Sequence, residues 1–188
     1  MRKMIVVIAL GSVQVFEKCR LYGISLNPFK CQFWVKHGVI LGHIVSKNGI
    51  STDEGKIKVI LELPPPNNYK SVQRFMGHVD YYRRFILLFD EIACPLYNLL
   101  IEFKWTEKSD QVYEVLKKAL ANAPILRAPD WNVILHVHID ASNFAVGCVL
   151  TQLGEHKLDY PISFASHQLN DVEKNYTTTE RESLAMIY

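Results

Sequence analysis

The strongest pattern in the chain is a helical one. Val72, Phe75, Met76, Val79, Tyr82 and Ile86 recur at i, i+3, i+4 and i+7, with Arg83 on the same side. Arg74, His78, Tyr81 and Arg84 fall on the opposite side, so this helix has one face for a core and one for solvent or a partner. Further helices are expected over residues 91–101 and 107–122. Two earlier ones are expected over 13–22, ended by Gly23, and over 53–61, capped by Thr52 and stopped by Pro64-Pro65-Pro66. Elsewhere the pattern shortens. Residues 4–10 read as a buried strand, and Asn27-Pro28 as a turn. Residues 31–35 and 40–46 read as two arms of a hairpin around Lys36-His37-Gly38, with Asn48-Gly49 closing the second. Past Pro124 and Pro129 the period becomes two: Val133, Leu135, Val137 and Ile139 on one side, Ile134, His136, His138 and Asp140 on the other. Strands through Phe144–Leu150 and Tyr160–Ala165 would complete an antiparallel meander, followed by a helix from near Thr179. The expected fold class is α+β, with a hairpin, a helical centre and a mixed sheet with a helix.

Composition adds limits. Hydrophobic residues make up 49% and charged residues 21%, an ordinary globular balance. The net charge of +2 permits nucleic-acid contact without arguing for it. Four cysteines without a CxxC pair read as buried thiols of a reducing compartment, not as a disulfide framework or zinc knuckle. No apolar run approaches the roughly 18–20 residues of a membrane span. A basic pair precedes Met4–Leu10, as in a signal peptide, but the run sits at the short end for one. A cytoplasmic or nuclear protein is expected, not a secreted one.

Several segments, in order, resemble the reverse transcriptases of gypsy-type retrotransposons. They are Gly23-Ile-Ser-Leu-Asn-Pro-Phe-Lys-Cys31, Leu41-Gly-His-Ile-Val-Ser46, Glu62-Leu-Pro-Pro-Pro66, Phe75-Met-Gly77 and Tyr81-Tyr-Arg-Arg-Phe85. Phe103-Lys-Trp-Thr106, Ala123-Pro-Ile-Leu126, Asp140-Ala-Ser142 and Asn175-Tyr-Thr-Thr-Thr-Glu-Arg-Glu182 follow. The resemblance implies three parts: the end of the palm over 1–50, thumb and connection over 51–122, and a truncated RNase H-like domain over 123–188. It implies a piece of a retroelement polyprotein acting on an RNA–DNA hybrid or primer–template duplex. Leu41, Gly42 and His43 would support the primer terminus. Arg74, Tyr81 and Arg84 would contact nucleic acid. The family's polymerase Asp-Asp pair would fall on Arg2 and Lys3, which cannot hold Mg²⁺, so polymerisation by this chain alone is not expected.

Hydrolysis of the RNA strand needs carboxylates that hold two Mg²⁺ ions about 4 Å apart. The resemblance puts them at Asp140 and Glu182, with further acidic ligands expected beyond Tyr188 and this chain expected to be inactive alone. Read from the residues themselves, Asp140 is first a solvated strand end or turn cap, and only the resemblance makes it a metal ligand. Glu182 is equally the closing residue of a capping box with Thr179, while Thr177 and Glu180 form a second candidate box. A different chemistry is open at His136-x-His138-x-Asp140, whose three ligand types on one strand face match part of a zinc hydrolase site, with His156 and His167 further on. A third reading is a non-catalytic binding module. In it Lys104, Lys108, Lys117 and Lys118 track phosphates, and Tyr81, Tyr82 and Trp105 stack on bases or sugars.

Overall fold

The computed structural model describes residues 13–27, 29, 36–154 and 157–187. The strands expected over 4–10 and 31–35 lie outside these, as do Arg2, Lys3, Pro28 and His156. The chain divides into two units, Met1–Lys36 and His37–Tyr188. In the first, helix α1 (residues 13–21) ends as expected: Gly23 takes φ 65° and the Ile24 N–H closes on the Cys19 carbonyl at 2.8 Å.

The second unit opens with three antiparallel strands, β1 (His37–Ile40), β2 (His43–Ser46) and β3 (Gly49–Thr52), in that order. This corrects the expected hairpin. His37 and Gly38 are strand residues opposite Ser46 and Val45, not a turn. The chain reverses instead at Leu41-Gly42, with φ of 47° and 73°. Two positive φ angles match the twist of the flanking strands, but they strain a leucine. Contacts from forty residues away hold the turn: Tyr82 donates its hydroxyl to the Gly42 carbonyl at 2.8 Å, and Tyr81 donates to the Leu41 carbonyl.

Helix α2 (Glu54–Leu61) is capped by Asp53, whose carboxylate accepts the Gly55 N–H at 3.0 Å. Thr52, the expected cap, ends β3 instead. Helix α3 (Tyr69–Asp80) starts from an Asn68–Ser71 capping box. Its stripe is buried as the periodicity predicts, and the core continues through Tyr82, Phe85 and Ile86 beyond a 3₁₀ turn at Arg83–Phe85. Helices α4 (Phe89–Asn98) and α5 (Glu107–Ala121) close this core with Phe89, Leu96, Tyr113, Leu116 and Leu120. The proline run is fastened by α5, where Tyr113 and Lys117 donate to the Leu63 carbonyl at 2.6 and 2.7 Å.

Strands β4 (Leu135–Ala141), β5 (Ala145–Leu153) and β6 (Asp159–Gln168) form the expected antiparallel meander, and α6 (Thr178–Ile187) packs on it. The apolar side of β4 is only partly buried, contrary to expectation. Ile139 and Ala141 pack with Val146, Leu169, Leu184 and Ala185, whereas Val137 stays 56% exposed, beyond the reach of this cluster. The opposite sheet face meets the helices. Gly147 lies under Leu88, where any β-carbon would collide with the leucine side chain. A buried polar node fixes this junction: Asp90 accepts from Arg83 and from the Ser166 hydroxyl at 2.6 Å, while Arg83 also donates to the Ser166 carbonyl at 2.8 Å. Cys19, Cys94 and Cys148 are free thiols, half-buried and not buried as expected. Among the described residues no helix is long and apolar enough to cross a membrane.

Candidate functional site

Two groups of sequence-predicted residues occupy different places. The first gathers at the tip of the β1–β2 hairpin. His43 stacks on Tyr81 at 5.2 Å between ring centroids and on Phe85 at 5.6 Å, and meets Tyr82 edge-on at 5.5 Å. Its Nδ1 lies 3.1 Å from the Leu41 carbonyl. Lys56 of α2 sits 5.3 Å above the Tyr81 ring, and its ammonium fills the space a side chain at Gly42 would need. Leu41, Gly42, His43 and Tyr81 are therefore one assembly, and Lys56, a residue the sequence reading passed over, belongs to it. Beside it, Lys56, Val59, Ile60, Gly77, His78, Tyr81 and Tyr82 line a cleft of about 320 Å³. Gly77 leaves bare backbone there, since a β-carbon would meet nothing within 4 Å. Arg74, His78, Tyr81 and Arg84 are all exposed, as the stripe predicts, and among the described residues Arg74 and Arg84 have no ion-pair partner.

Three other expected contacts are corrected. Tyr82 is 1% exposed and cannot stack on a base. Lys117 is buried, its ammonium on the Leu63 carbonyl and 4.4 Å from the Tyr113 ring centroid, so it cannot reach a phosphate. Trp105 is half-buried against Tyr113 and donates to Asp110 at 2.8 Å. Lys104, Lys108 and Lys118 remain exposed.

The second group lies at β4 and α6. Asp140 is exposed near the end of β4, opposite Gly147 in the register. Glu182 is exposed on α6, about 100° around the helix from Arg181. Among the described residues neither carboxylate has a hydrogen-bond or ion-pair partner. The capping reading of Glu182 is overturned. The box that forms is the other one, in which Glu180 accepts the Thr177 N–H at 2.8 Å and hydroxyl at 2.9 Å while the Thr177 hydroxyl accepts the Glu180 N–H at 3.3 Å. Strand alternation turns Asp140 away from the face that carries Ile139 and Ala141. An ion held by both carboxylates would therefore have to sit around the outer edge of β4, which no other strand covers among the described residues.

The zinc arrangement is not assembled. His136 and His138 turn to Asp159, at 3.4 and 3.2 Å, and not to Asp140; Thr151 lies 3.1 Å from His138. Their ring centroids stand 6.5 Å apart. Two imidazoles on one tetrahedral zinc, with Zn–N near 2.0–2.1 Å, would bring the centroids to about 5 Å. His167 is engaged with Glu173 at 3.1 Å. Among the described residues no three His, Cys, Asp or Glu side chains converge as a metal-ligand set.

Comparison with known proteins agrees with the fold and with the motif order. Residues 105–188 match the model of an RNase H-like domain found in reverse transcriptase. The chain is 38% identical over 184 residues to the retrovirus-related Pol polyprotein from transposon 297 of Drosophila melanogaster, covering 95% of this chain and 17% of that protein. It is 31% identical over 176 residues to the transposon Tf2-3 polyprotein of Schizosaccharomyces pombe, covering 92% of this chain and 13% of the other. The chain thus spans less than a fifth of these relatives. Among solved structures, the foamy viral protease-reverse transcriptase in complex with RNA/DNA hybrid superposes with a TM-score of 0.70 at 26% identity, over 81% of this chain and 21% of that one. The same enzyme in complex with dsDNA gives 0.69 at 26% identity, over 81% and 33%. Two kinds of observation, ordered motifs along the chain and a superposable backbone, converge: residues 105–188 match an RNase H-like domain found in reverse transcriptase, and the chain is similar over most of its length to a segment of transposon Pol polyproteins.

Proposed function

We propose that this chain is a reverse transcriptase/RNase H segment that grips a primer–template or RNA–DNA duplex and contributes two carboxylates to hydrolysis of the RNA strand. The reading divides the chain into the end of a palm up to residue 50, thumb and connection over 51–122, and the opening of an RNase H domain over 123–188, acting in cytoplasm or nucleus. The observation that carries it is the assembly of Leu41, Gly42, His43 and Tyr81 into one cluster, exposed at Leu41 and Tyr81, on an element that also carries the exposed Arg74 and leads to the exposed Arg84. The hairpin tip and Tyr81 are forty residues apart in sequence and meet at the surface end of the core. A duplex laid on this face meets cationic side chains for its phosphates and bare backbone at Gly77 for close approach.

Asp140 and Glu182 fit a hard dication by chemistry. Both are exposed carboxylates without protein partners among the described residues, and oxygen donors are what Mg²⁺ prefers. Bound Mg²⁺ would supply an activated water and charge stabilisation at the leaving oxygen. Within this chain the part played by Asp140 and Glu182 is to hold charge at the end of β4 and on α6. Two carboxylates are an incomplete set for a two-metal site, and the chain alone is accordingly read as inactive.

The test is cleavage of a labelled RNA–DNA hybrid by the purified chain with Mg²⁺, alongside Asp140→Asn. The expected result is hybrid binding that weakens with salt, and no cleavage above the level of the variant. Cleavage abolished by Asp140→Asn would establish that two carboxylates suffice and overturn the inactivity. Absence of hybrid binding would overturn the reading itself.

A further inference from the structure

Arg181 ties the helix that carries Glu182 to the turn that follows Asp140. Its Nη1 donates to the Ser142 carbonyl at 2.6 Å and to Asn143 Oδ1 at 2.8 Å. Ser142 stands two residues after Asp140, and Arg181 immediately before Glu182. The turn that receives the guanidinium is already locked. The Ser142 hydroxyl accepts the Phe144 and Ala145 N–H groups at 3.2 and 3.0 Å and donates to the Ala145 carbonyl at 3.0 Å, while the Ser142 N–H meets that same carbonyl at 2.9 Å. The Ser142 carbonyl therefore presents a fixed acceptor. Arg181 Nε is buried with no partner among the described residues, so the side chain is held inward at a cost in desolvation.

Apolar packing already docks α6 through Leu184 and Ala185. That contact sets the helix against the sheet but not its rotation or slide, because small aliphatic groups lack directional bonds. Glu182 stands about 100° around α6 from Arg181, so rotation or slide of the helix would shift its carboxylate relative to β4. The Arg181 fork supplies the directional constraint.

We infer that Arg181 is a positioning residue, which fixes the register of α6 on the β4–β5 turn so that Glu182 and Asp140 address one cation. This rests on the metal reading above. Its test separates position from charge by sign. A guanidinium beside a dication repels it, so an arginine acting by charge alone would, on removal, leave metal binding tighter. One acting only on fold stability would leave it unchanged. A positioning arginine would leave it weaker.

The experiment is titration of the 188-residue chain with Mn²⁺, following the free ion by electron paramagnetic resonance. It compares wild type, Asp140→Asn, Glu182→Gln, Arg181→Ala, Arg181→Lys and Asn143→Ala, each checked for folding by its thermal melt. Arg181→Ala is expected to weaken Mn²⁺ binding about tenfold, the lower end for loss of a group that orients a ligand. Arg181→Lys keeps the charge and one donor group and should fall between it and wild type. Asn143→Ala keeps the arginine and loses one acceptor, and should cost about threefold. Equal or tighter binding in Arg181→Ala and Asn143→Ala, with binding lost in Asp140→Asn and Glu182→Gln, would overturn the positioning role and leave the metal reading intact. Equal binding by wild type, Asp140→Asn and Glu182→Gln would overturn the metal reading and the inference together.

Discussion

Glu180 and Glu182 stand two residues apart in α6 with different surroundings. The Thr177 backbone N–H and hydroxyl hold the Glu180 carboxyl below the usual carboxylate range. A carboxyl depressed on folding stabilises the fold above its unfolded value, about 4.3, and that contribution is lost as pH falls through the lower folded value. Acidification below about pH 4 should therefore free the start of α6. Amide exchange at residues 178–182, corrected for its intrinsic pH dependence, should rise there in wild type and show no such step in Glu180→Gln. Tyr82 gives a second residue-scale prediction. Its hydroxyl is the partner of the Gly42 carbonyl, so Tyr82→Phe should cost about 1 kcal/mol in urea unfolding while the ring keeps the core filled. The sequence offered both Thr177-x-x-Glu180 and Thr179-x-x-Glu182 as capping boxes. The choice between them depends on where the helix begins, which a 3₁₀ turn at Glu173–Asn175 and the docking of Arg181 decide. Neither is a local propensity, so pattern alone left the question open.

At the scale of elements, the helices were legible and the hairpin was not. The stripe from Val72 to Ile86 states its own period, and its burial in α3 and the following turn matches it. The β1–β2 reversal carries no such sign. Gly38 looks like the turn residue, yet the chain reverses at a leucine held by two tyrosine hydroxyls. The junction of sheet and helices was equally hidden, because Ser166 is 76 residues from Asp90 and each of Arg83, Asp90 and Ser166 is unremarkable alone. Ser166 is buried and Asp90 is 5% exposed, so the Asp90 charge depends on its partners. Asp90→Ala leaves Arg83 its Ser166 carbonyl contact, the Phe89 ring at 5.3 Å and the more distant Asp80 at 3.4 Å. Removing one partner of a fully buried pair costs about 3–5 kcal/mol, but the Arg83 side chain is 37% exposed and water screens it. About 2 kcal/mol is the expected loss, measured by urea unfolding. Amides of β6 near Ser166 should lose protection more than those of α3, since the node joins β6 to α4 and the 3₁₀ turn while α3 keeps its own core.

At the scale of the molecule, the net charge of +2 is too small to hold a duplex by a general field. Binding must come from cations placed on one face, and this makes the contribution of each residue separable. Salt weakens duplex binding because each neutralised phosphate releases condensed counterions, with a log–log slope near −0.9 per phosphate for B-form DNA and of similar order for a hybrid. Arg74 and Arg84 are exposed without ion-pair partners among the described residues, and Lys56 stands over Tyr81 at the hairpin tip. Arg74→Ala and Arg84→Ala should each weaken hybrid binding and make the slope shallower by about one. Lys117→Met provides the contrast. It removes the same formal charge from a buried site, so it should leave the slope as it is, whatever it does to stability. Asp140→Asn, measured without divalent metal, should also leave the slope nearly unchanged, because it lies on a separate part of the fold and releases no counterions. If Lys117→Met and Arg74→Ala shifted the slope alike, the affinity would follow total charge and the face built by α3 and the hairpin would have no special part in it. A slope that falls only with Arg74 and Arg84 would instead locate the duplex on the side of α3 where the sequence first set its polar residues.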